Sequence, residues 1–345
     1  MKFDLYKHIK PNSRNQRILN WHFFSNLNDQ NLWGNILNNE CLELNLDKID
    51  FIAHDGLIWV IFILLFRKEK GFKTFIYLPN DEKKVGFLKY VGFHNQKWIL
   101  NFEYLNEYAM LSSYKYPVRN ELLKPLHKLY YIDGENWWRK AQETTSAVKD
   151  YIIHTYGLVD IEWEVYELIN PFVITLQELM QNIASHGGSL DGKGTGYISF
   201  IPPPRKYTKI TYCFTDIGKG FKDTLFRQHN MNCDSHEESI IEALLFRYSR
   251  PEEGIRGIYK TLPLIRNREG SIRIRSGTVL FTLDFSKEKN RQGFDNNYKE
   301  PTEKIIYEDE KNWLRSISHF SRSVDINIPG THILIDLKAP SRQER

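Results

Sequence analysis

The sequence predicts a mixed α/β protein in two parts, on three observations. Residues 41–92 alternate strand and helix patterns at the spacing of a parallel βαβα unit. Residues 173–188 carry a helical period that precedes a strand ending in an aspartate and two glycines. A further glycine-bearing loop, at 253–259, enters another helix and then another strand.

The first forty residues mix Asn, His and Trp without a clear period. From Cys41 the pattern sharpens. LELNLDKIDFI reads as a strand or strand pair, Asp55-Gly56 as a turn, and Leu57 to Lys70 as a helix ending at Gly71. The run LIWVIFILLF within it spans only about 15 Å as a helix, half of a bilayer core, so it is a buried helix and not a membrane span. Lys73 to Leu78 is a strand stopped by Pro79-Asn80, and Glu82 to Tyr90 is a helix closed by Gly92.

This stretch resembles a STAS domain, the fold of anti-sigma-factor antagonists, over about residues 40 to 95. The matching residues are Phe51-Ile52-Ala53-His54-Asp55-Gly56-Leu57, the strand ending in Leu78-Pro79, and Val91-Gly92-Phe93. The family's phosphorylatable serine would fall before Gly56, where this chain has Ala53, His54 and Asp55. A serine-phosphorylation switch is therefore not expected, and Asp55 reads as an ordinary turn aspartate.

Residues 100 to 132 read as strands and connections, and Asn136 to Tyr156 carries a helical period. Leu158 to Ile169 leads into the segment VITLQELMQNIASHGG, Val173 to Gly188. As a helix this places Glu178, Asn182 and Ser185/His186 on one face, with Leu176, Leu179 and Ile183 toward a core. The Asn182 amide oxygen suits Mg²⁺, which takes oxygen ligands. The Glu178 carboxylate suits activation of a water for attack on a phosphoryl group. Tyr207 to Phe214 is a strand, followed by Asp216-Ile217-Gly218-Lys219-Gly220-Phe221. The aspartate is a fixed acceptor for an exocyclic amine, and the glycines let a flat heterocycle approach the backbone. Glu253 to Tyr259 enters a helix read as Ile258 to Arg268, ending at Gly270. A glycine loop at a helix start offers free N–H groups to phosphate, and Arg256 and Lys260 add charge.

With these residues in place the chain resembles the GHKL (Bergerat-fold, histidine-kinase-like) ATPases. Glu178-x-x-x-Asn182 matches the N-box, with His186-Gly187 as in its anti-sigma-kinase form. Asp216-Ile217-Gly218-Lys219-Gly220 matches the Asp-x-Gly-x-Gly box, and Gly254 to Tyr259 the end of the lid. The strand from Gly270 to Gly277 follows that lid end, and Pro329 to Leu337 matches the closing Gly-Thr strand. The resemblance covers about residues 165 to 338 and implies a two-layer α/β sandwich with a mixed sheet. It implies ATP and Mg²⁺ as cofactors, with Glu178 as catalytic base and Asn182 as metal ligand. Asp216, Gly218, Gly220 and Thr331 would hold the adenine end, Gly254 and Gly257 the phosphates, and Thr278 rivals Thr331. The lid would be Lys222 to Glu253, a polar connection with a helix over Glu237 to Arg247. Gly254-x-x-Gly257 is sparser than the family's usual box. Phe285 to Val324 is a charged insertion, read as a solvated loop with a short helix near Asn312 to Ser318.

The resulting organisation is an α/β (α+β) chain with a STAS-like domain over 1–118 and an ATP-binding domain over 119–345, the latter led in by 119–165. Forty-seven basic and 43 acidic residues leave a formal charge of +4, too balanced to imply nucleic acid. Cys41, Cys213 and Cys233 have no paired spacing and read as reduced thiols, and the start MKFDLYKHIK has no apolar signal core, so a cytoplasmic location is expected. The first functional expectation is a slow ATPase whose nucleotide state gates a protein partner, bound through the STAS-like domain or the lid; a homodimer stays open. The alternative is an anti-sigma-type serine kinase acting on another STAS-like protein. A histidine kinase fits least, because His127 and His154 lack a phosphoacceptor context.

Overall fold

The computed structural model describes residues 1–21, 30–106, 126–156, 173–184, 193–201, 209–245, 258–298, 308–322 and 327–338. The N-terminal part runs β1 (Lys2–Asp4), β2 (Ile18–Leu19), α1 (Gln30–Asn38), β3 (Cys41–Asn45), β4 (Phe51–Ile52) and α2 (His54–Glu69). It continues through β5 (Lys73–Tyr77), α3 (Glu82–Tyr90), α4 (Lys97–Leu100) and β6 (Phe102–Tyr104). Strands β1-β3-β5-β6 form one parallel sheet in that order. The expected strand pair at 42–52 splits: β3 joins this sheet, while β4 pairs in parallel with β2.

Local chemistry sets the element ends. Helix α3 begins where the Asp81 carboxylate accepts the Lys83 and Lys84 N–H groups at 2.8 and 3.1 Å, and it stops before Gly92, whose φ is +81°. Helix α2 ends at Gly71 in the left-handed region, as its sequence indicates. Its start differs from expectation. Asp55 and Gly56 form the first helical turn, not a loop, and position 56 needs glycine because a Cβ there would strike the Leu19 carbonyl of β2. The glycine serves close packing of helix on strand.

The C-terminal part runs β7 (Leu126–Ile132), α5 (Trp137–Tyr156), α6 (173–184), β8 (Gly194–Ile201), β9 (Lys209–Asp216), α7 (Gly220–His229) and α8 (His236–Leu245). Then come α9 (Leu262–Asn267), β10 (Ser271–Gly277), β11 (Val279–Asp284), α10 (Glu288–Asn297), α11 (Glu308–Ile317), β12 (Ser318–Arg322) and β13 (Ile328–Lys338). The seven strands lie in the order β12-β11-β10-β13-β9-β8-β7, and every neighbouring pair is antiparallel. The mixed sheet expected from the sequence is not what forms. Strands β8–β9, β10–β11 and β11–β12 fold back on their chain neighbours, and β13 inserts between β9 and β10 running opposite to both. A parallel pair would need a crossover, and no two neighbours are joined by one in that sense. The expected boundary at 118–119 falls outside the described residues.

Alternation along β9 and β13 divides the sheet into two faces. Ile210, Tyr212, Phe214, Ile333, Ile335 and Leu337 face a front core shared with α5, α6, α8 and α9. Cys213 and Leu334 face the other way, into a core shared with the N-terminal sheet. Helix α2 is the filling of that second core. Every side chain from Leu57 to Leu65 is at most 1% exposed, and the helix packs against β5 on one side and β8 and β9 on the other. That explains an apolar run with no polar stripe, since both flanks of the helix are buried. Arg67, fully buried at its end, donates to the Thr74 hydroxyl at 2.8 Å and to the Ile36 and Lys73 carbonyls at 2.8 and 2.7 Å, tying α1, α2 and β5 together. Burial lowers its guanidinium pKa to about 10.

Two further readings need correction. The 285–324 insertion is not a solvated loop among its described residues: Phe285, Phe294, Trp313, Leu314 and Ile317 belong to the front core, and the Lys311 ammonium pairs with buried Glu242 of α8. The short helix there runs from Glu308, earlier than expected. The helix at 258–268 opens as a 3-10 turn, Ile258–Thr261, because Pro263 at the start of α9 has no N–H to extend the regular ladder.

Candidate functional site

Strand β9 ends at Asp216 on the front face, by alternation with Phe214. Its carboxylate is 7% exposed, and its Oδ1 accepts two backbone amides, Gly218 N–H at 2.7 Å and Thr331 N–H at 3.2 Å. Among the described residues no hydrogen bond reaches Oδ2. Burial pushes the Asp216 pKa up to about 7, against the pull of those two amides. With Oδ1 taken by two amides and no described partner at Oδ2, the carboxyl keeps acceptor capacity for a ligand donor.

The surroundings of Asp216 come from five elements. Strand β13 approaches so closely that a Cβ at Gly330 would collide with the Asp216 carbonyl oxygen, and Gly330 holds φ +82°. Only glycine meets both conditions. Gly220 opens α7 at φ +77°, and a Cβ there would sit 2.7 Å from the Ser276 hydroxyl. That fully buried hydroxyl accepts the Phe221 N–H at 3.0 Å, so the last turn of β10 fixes the loop 217–221. Gly194 pairs with Asp216 across β8–β9, and Ile183 of α6 lies over that pair.

Asp216, Gly218, Gly220 and Thr331 come together. Thr331, and not its rival Thr278, touches Asp216; Thr278 lies in the turn between β10 and β11. Glu178, 8% exposed, and half-buried Asn182 sit one turn apart on α6, the helix whose Ile183 covers the Gly194–Asp216 pair. Gly254, Gly257 and Arg256 lie outside the described residues, as do Ser185 to Gly188 and the lead-in at 158–169. The described part of the lid is no open polar connection. It is α7 packed on α8, with Ile240, Ile241, Leu244 and Leu245 fully buried in the front core. Ser235 starts α8 by accepting the Glu238 N–H at 3.0 Å, while Glu238 reaches back to the Asp234 N–H at 2.7 Å, a reciprocal cap visible in Ser235-His236-Glu237-Glu238.

Sequence reasoning missed Ser276, His332 and Gly194. Strand alternation turns His332 away from Thr331, but its role and those of Ser276 and Gly194 come from pairings between distant strands. The three cysteines are unpaired, Cys213 and Cys233 buried. No group of three or more His, Cys, Asp or Glu side chains among the described residues could hold a metal ion. A Mg²⁺ at Asn182 would thus depend on one protein oxygen with substrate and water oxygens, an arrangement this cation commonly accepts. No described helix is long and apolar enough to cross a membrane. No protein-family model matches the chain, and neither the curated proteins nor the solved structures contain a match to it.

Proposed function

We propose that this chain binds ATP with Mg²⁺ in a GHKL-type site of its C-terminal part, and that slow hydrolysis there gates a protein partner. One observation carries the reading: the buried Asp216, held through one oxygen by the Gly218 and Thr331 amides with no described partner on the other, among glycines that leave the backbone bare. That oxygen suits the exocyclic amine of adenine, and the bare backbone suits a flat ring against it. Asn182 would hold the cation, which neutralises phosphate charge when bound. Glu178 would orient and deprotonate the attacking water.

The N-terminal sheet supports a STAS-like reading of residues 40–95 in its parallel βαβα order. The turn and helix that carry that likeness are occupied within the chain, because α2 is buried between the two sheets. A partner would therefore use other surfaces of that half, or the α7–α8 element. The serine-kinase alternative gains no specific support from this packing.

Calorimetric titration with ATP and Mg²⁺ tests the proposal. Wild type should bind, Asp216→Asn should not, and Glu178→Ala should bind yet release no phosphate. Normal hydrolysis by both variants would sink the assignment. With γ-labelled ATP, transfer of label to an added protein would replace the switch reading with a kinase.

A further inference from the structure

Behind the site, strand β13 is irregular. Its register against β10 passes from Thr331 opposite Ser276 to Ile328 opposite Gly277, so Pro329 and Gly330 stand out of the ladder as a bulge. Bulges re-aim a side chain or a backbone group at a particular place. This one places Gly330 against the Asp216 carbonyl and sends the Thr331 N–H to the Asp216 carboxylate.

The bulge is gripped from the opposite face by His332. Its Nε2 lies 3.2 Å from the Pro329 carbonyl oxygen, and its Nδ1 forms a short hydrogen bond with the Thr215 hydroxyl. A carbonyl only accepts, so Nε2 carries the proton. In a neutral ring Nδ1 is then the acceptor, and the Thr215 hydroxyl donates. The ring is completely buried, which with nearby Arg275 pushes its pKa down to about 3 and keeps it neutral. Helix α2 closes over it: Trp59 stacks at 4.2 Å between centroids, and Phe62 meets it edge-on at 4.5 Å. Thr215 and His332 are direct partners across β9–β13 and immediately precede and follow Asp216 and Thr331 in the chain.

We infer that His332 is a positioning residue for the Asp216 site: from the back of the sheet, under Trp59 of the N-terminal half, it holds the Pro329–Gly330 bulge that aims Thr331 at Asp216. The inference rests on the nucleotide reading for its functional consequence, but the positioning itself has a readout that needs no ligand. It also makes helix α2 a working part of the C-terminal site.

The test uses the full-length chain with His332→Leu and His332→Gln. Leucine fills the space and makes neither hydrogen bond, whereas the glutamine amide can still donate to Pro329. Amide hydrogen exchange reports whether the Thr331 N–H remains protected, and ATP titration reports affinity. We expect Leu to speed Thr331 exchange and weaken ATP about tenfold, with Gln restoring most of both, although leucine is the better volume filler in an apolar core. Nitrogen-15 spectra should show the wild-type ring as the Nε2–H tautomer. Should His332→Leu destabilise the chain too far to measure, Thr215→Val removes the Nδ1 partner alone and should give a smaller change of the same sign. Wild-type protection of Thr331 in the leucine variant, or better retention by Leu than by Gln, would overturn the inference. If wild type binds no ATP, the nucleotide reading falls and the exchange result alone decides the positioning.

Discussion

Asp216 and His332 are both buried polar residues on adjacent strands, yet they are finished differently. His332 has a hydrogen bond at each ring nitrogen and an aromatic cover on two sides. Asp216 has two amides on one oxygen and nothing described on the other, and its pKa rises to about 7 in consequence of burial. A buried polar group with all capacity met is a joint that fixes geometry. One with an oxygen left open keeps acceptor capacity that a ligand could use. The two faces of one strand pair thus hold a closed polar joint on one side and an open carboxyl on the other.

Substitutions on the two faces separate these roles. The largest effect is expected on the back: Trp59→Ala strips the stacking partner from His332 and opens a cavity against several aromatic rings, lowering stability by about 4 kcal/mol in urea unfolding. A loss below about 1 kcal/mol would mean that α2 is not a tight filling between the sheets. On the front, Gly330→Ala forces a Cβ onto the Asp216 carbonyl in a left-handed conformation. It should destabilise by about 2–3 kcal/mol, and ATP binding should fall further than stability does.

Asp216→Asn should act in the opposite direction on the ligand-free protein. The carboxyl titrates near 7 when folded and near 3.8 when unfolded, so the native state holds the extra proton between those values. Stability therefore falls as pH rises from about 4 to about 7, and the asparagine variant should lack that decline. Above pH 7 it should be more stable than wild type by on the order of 2 kcal/mol, read from denaturation midpoints across pH. An unchanged pH profile would mean that the carboxyl is not desolvated. The smallest effect belongs to Lys193→Ala, which removes the 3.2 Å pair with Glu69 at the end of α2; about 0.5 kcal/mol, and less in high salt, is expected.

Much of the skeleton was readable because its signals are local. Gly92 and Gly71 mark the ends of α3 and α2 in the sequence, and both lie in the left-handed region; the Asp81 cap that starts α3 is seen only in the structure. The all-round apolar run in α2 announced burial, but the burying surface lies some 150 residues onward in β8 and β9, and no local pattern encodes that. The candidate site divides in the same way. Asp216 with Gly218 and Gly220 stood out because one tight turn contains all three. Whether Thr331 or Thr278 meets Asp216 depends on which strand lies next to β9, a matter of sheet order. Ser276 and His332 gain their roles only from cross-strand register. The insertion misled because its charged residues dominate its composition, while a few apolar positions, Phe294, Trp313 and Leu314 among them, determine where it packs.

The place of β13 also has a bearing on how the chain assembles. The last described strand, β13, is fourth in space among the seven described strands of its sheet, with β9 and β10 on its two sides. Until residues 328–338 have left the ribosome, those two strands keep unpaired edges, and the Asp216 carboxylate lacks its Thr331 amide. Closure of the sheet and completion of the site are thus one late step, made across a long stretch of chain, and such non-local pairings are slow to form. A nascent chain halted before β13 would carry a split sheet with sticky edges, the kind of intermediate that a holding chaperone protects from aggregation.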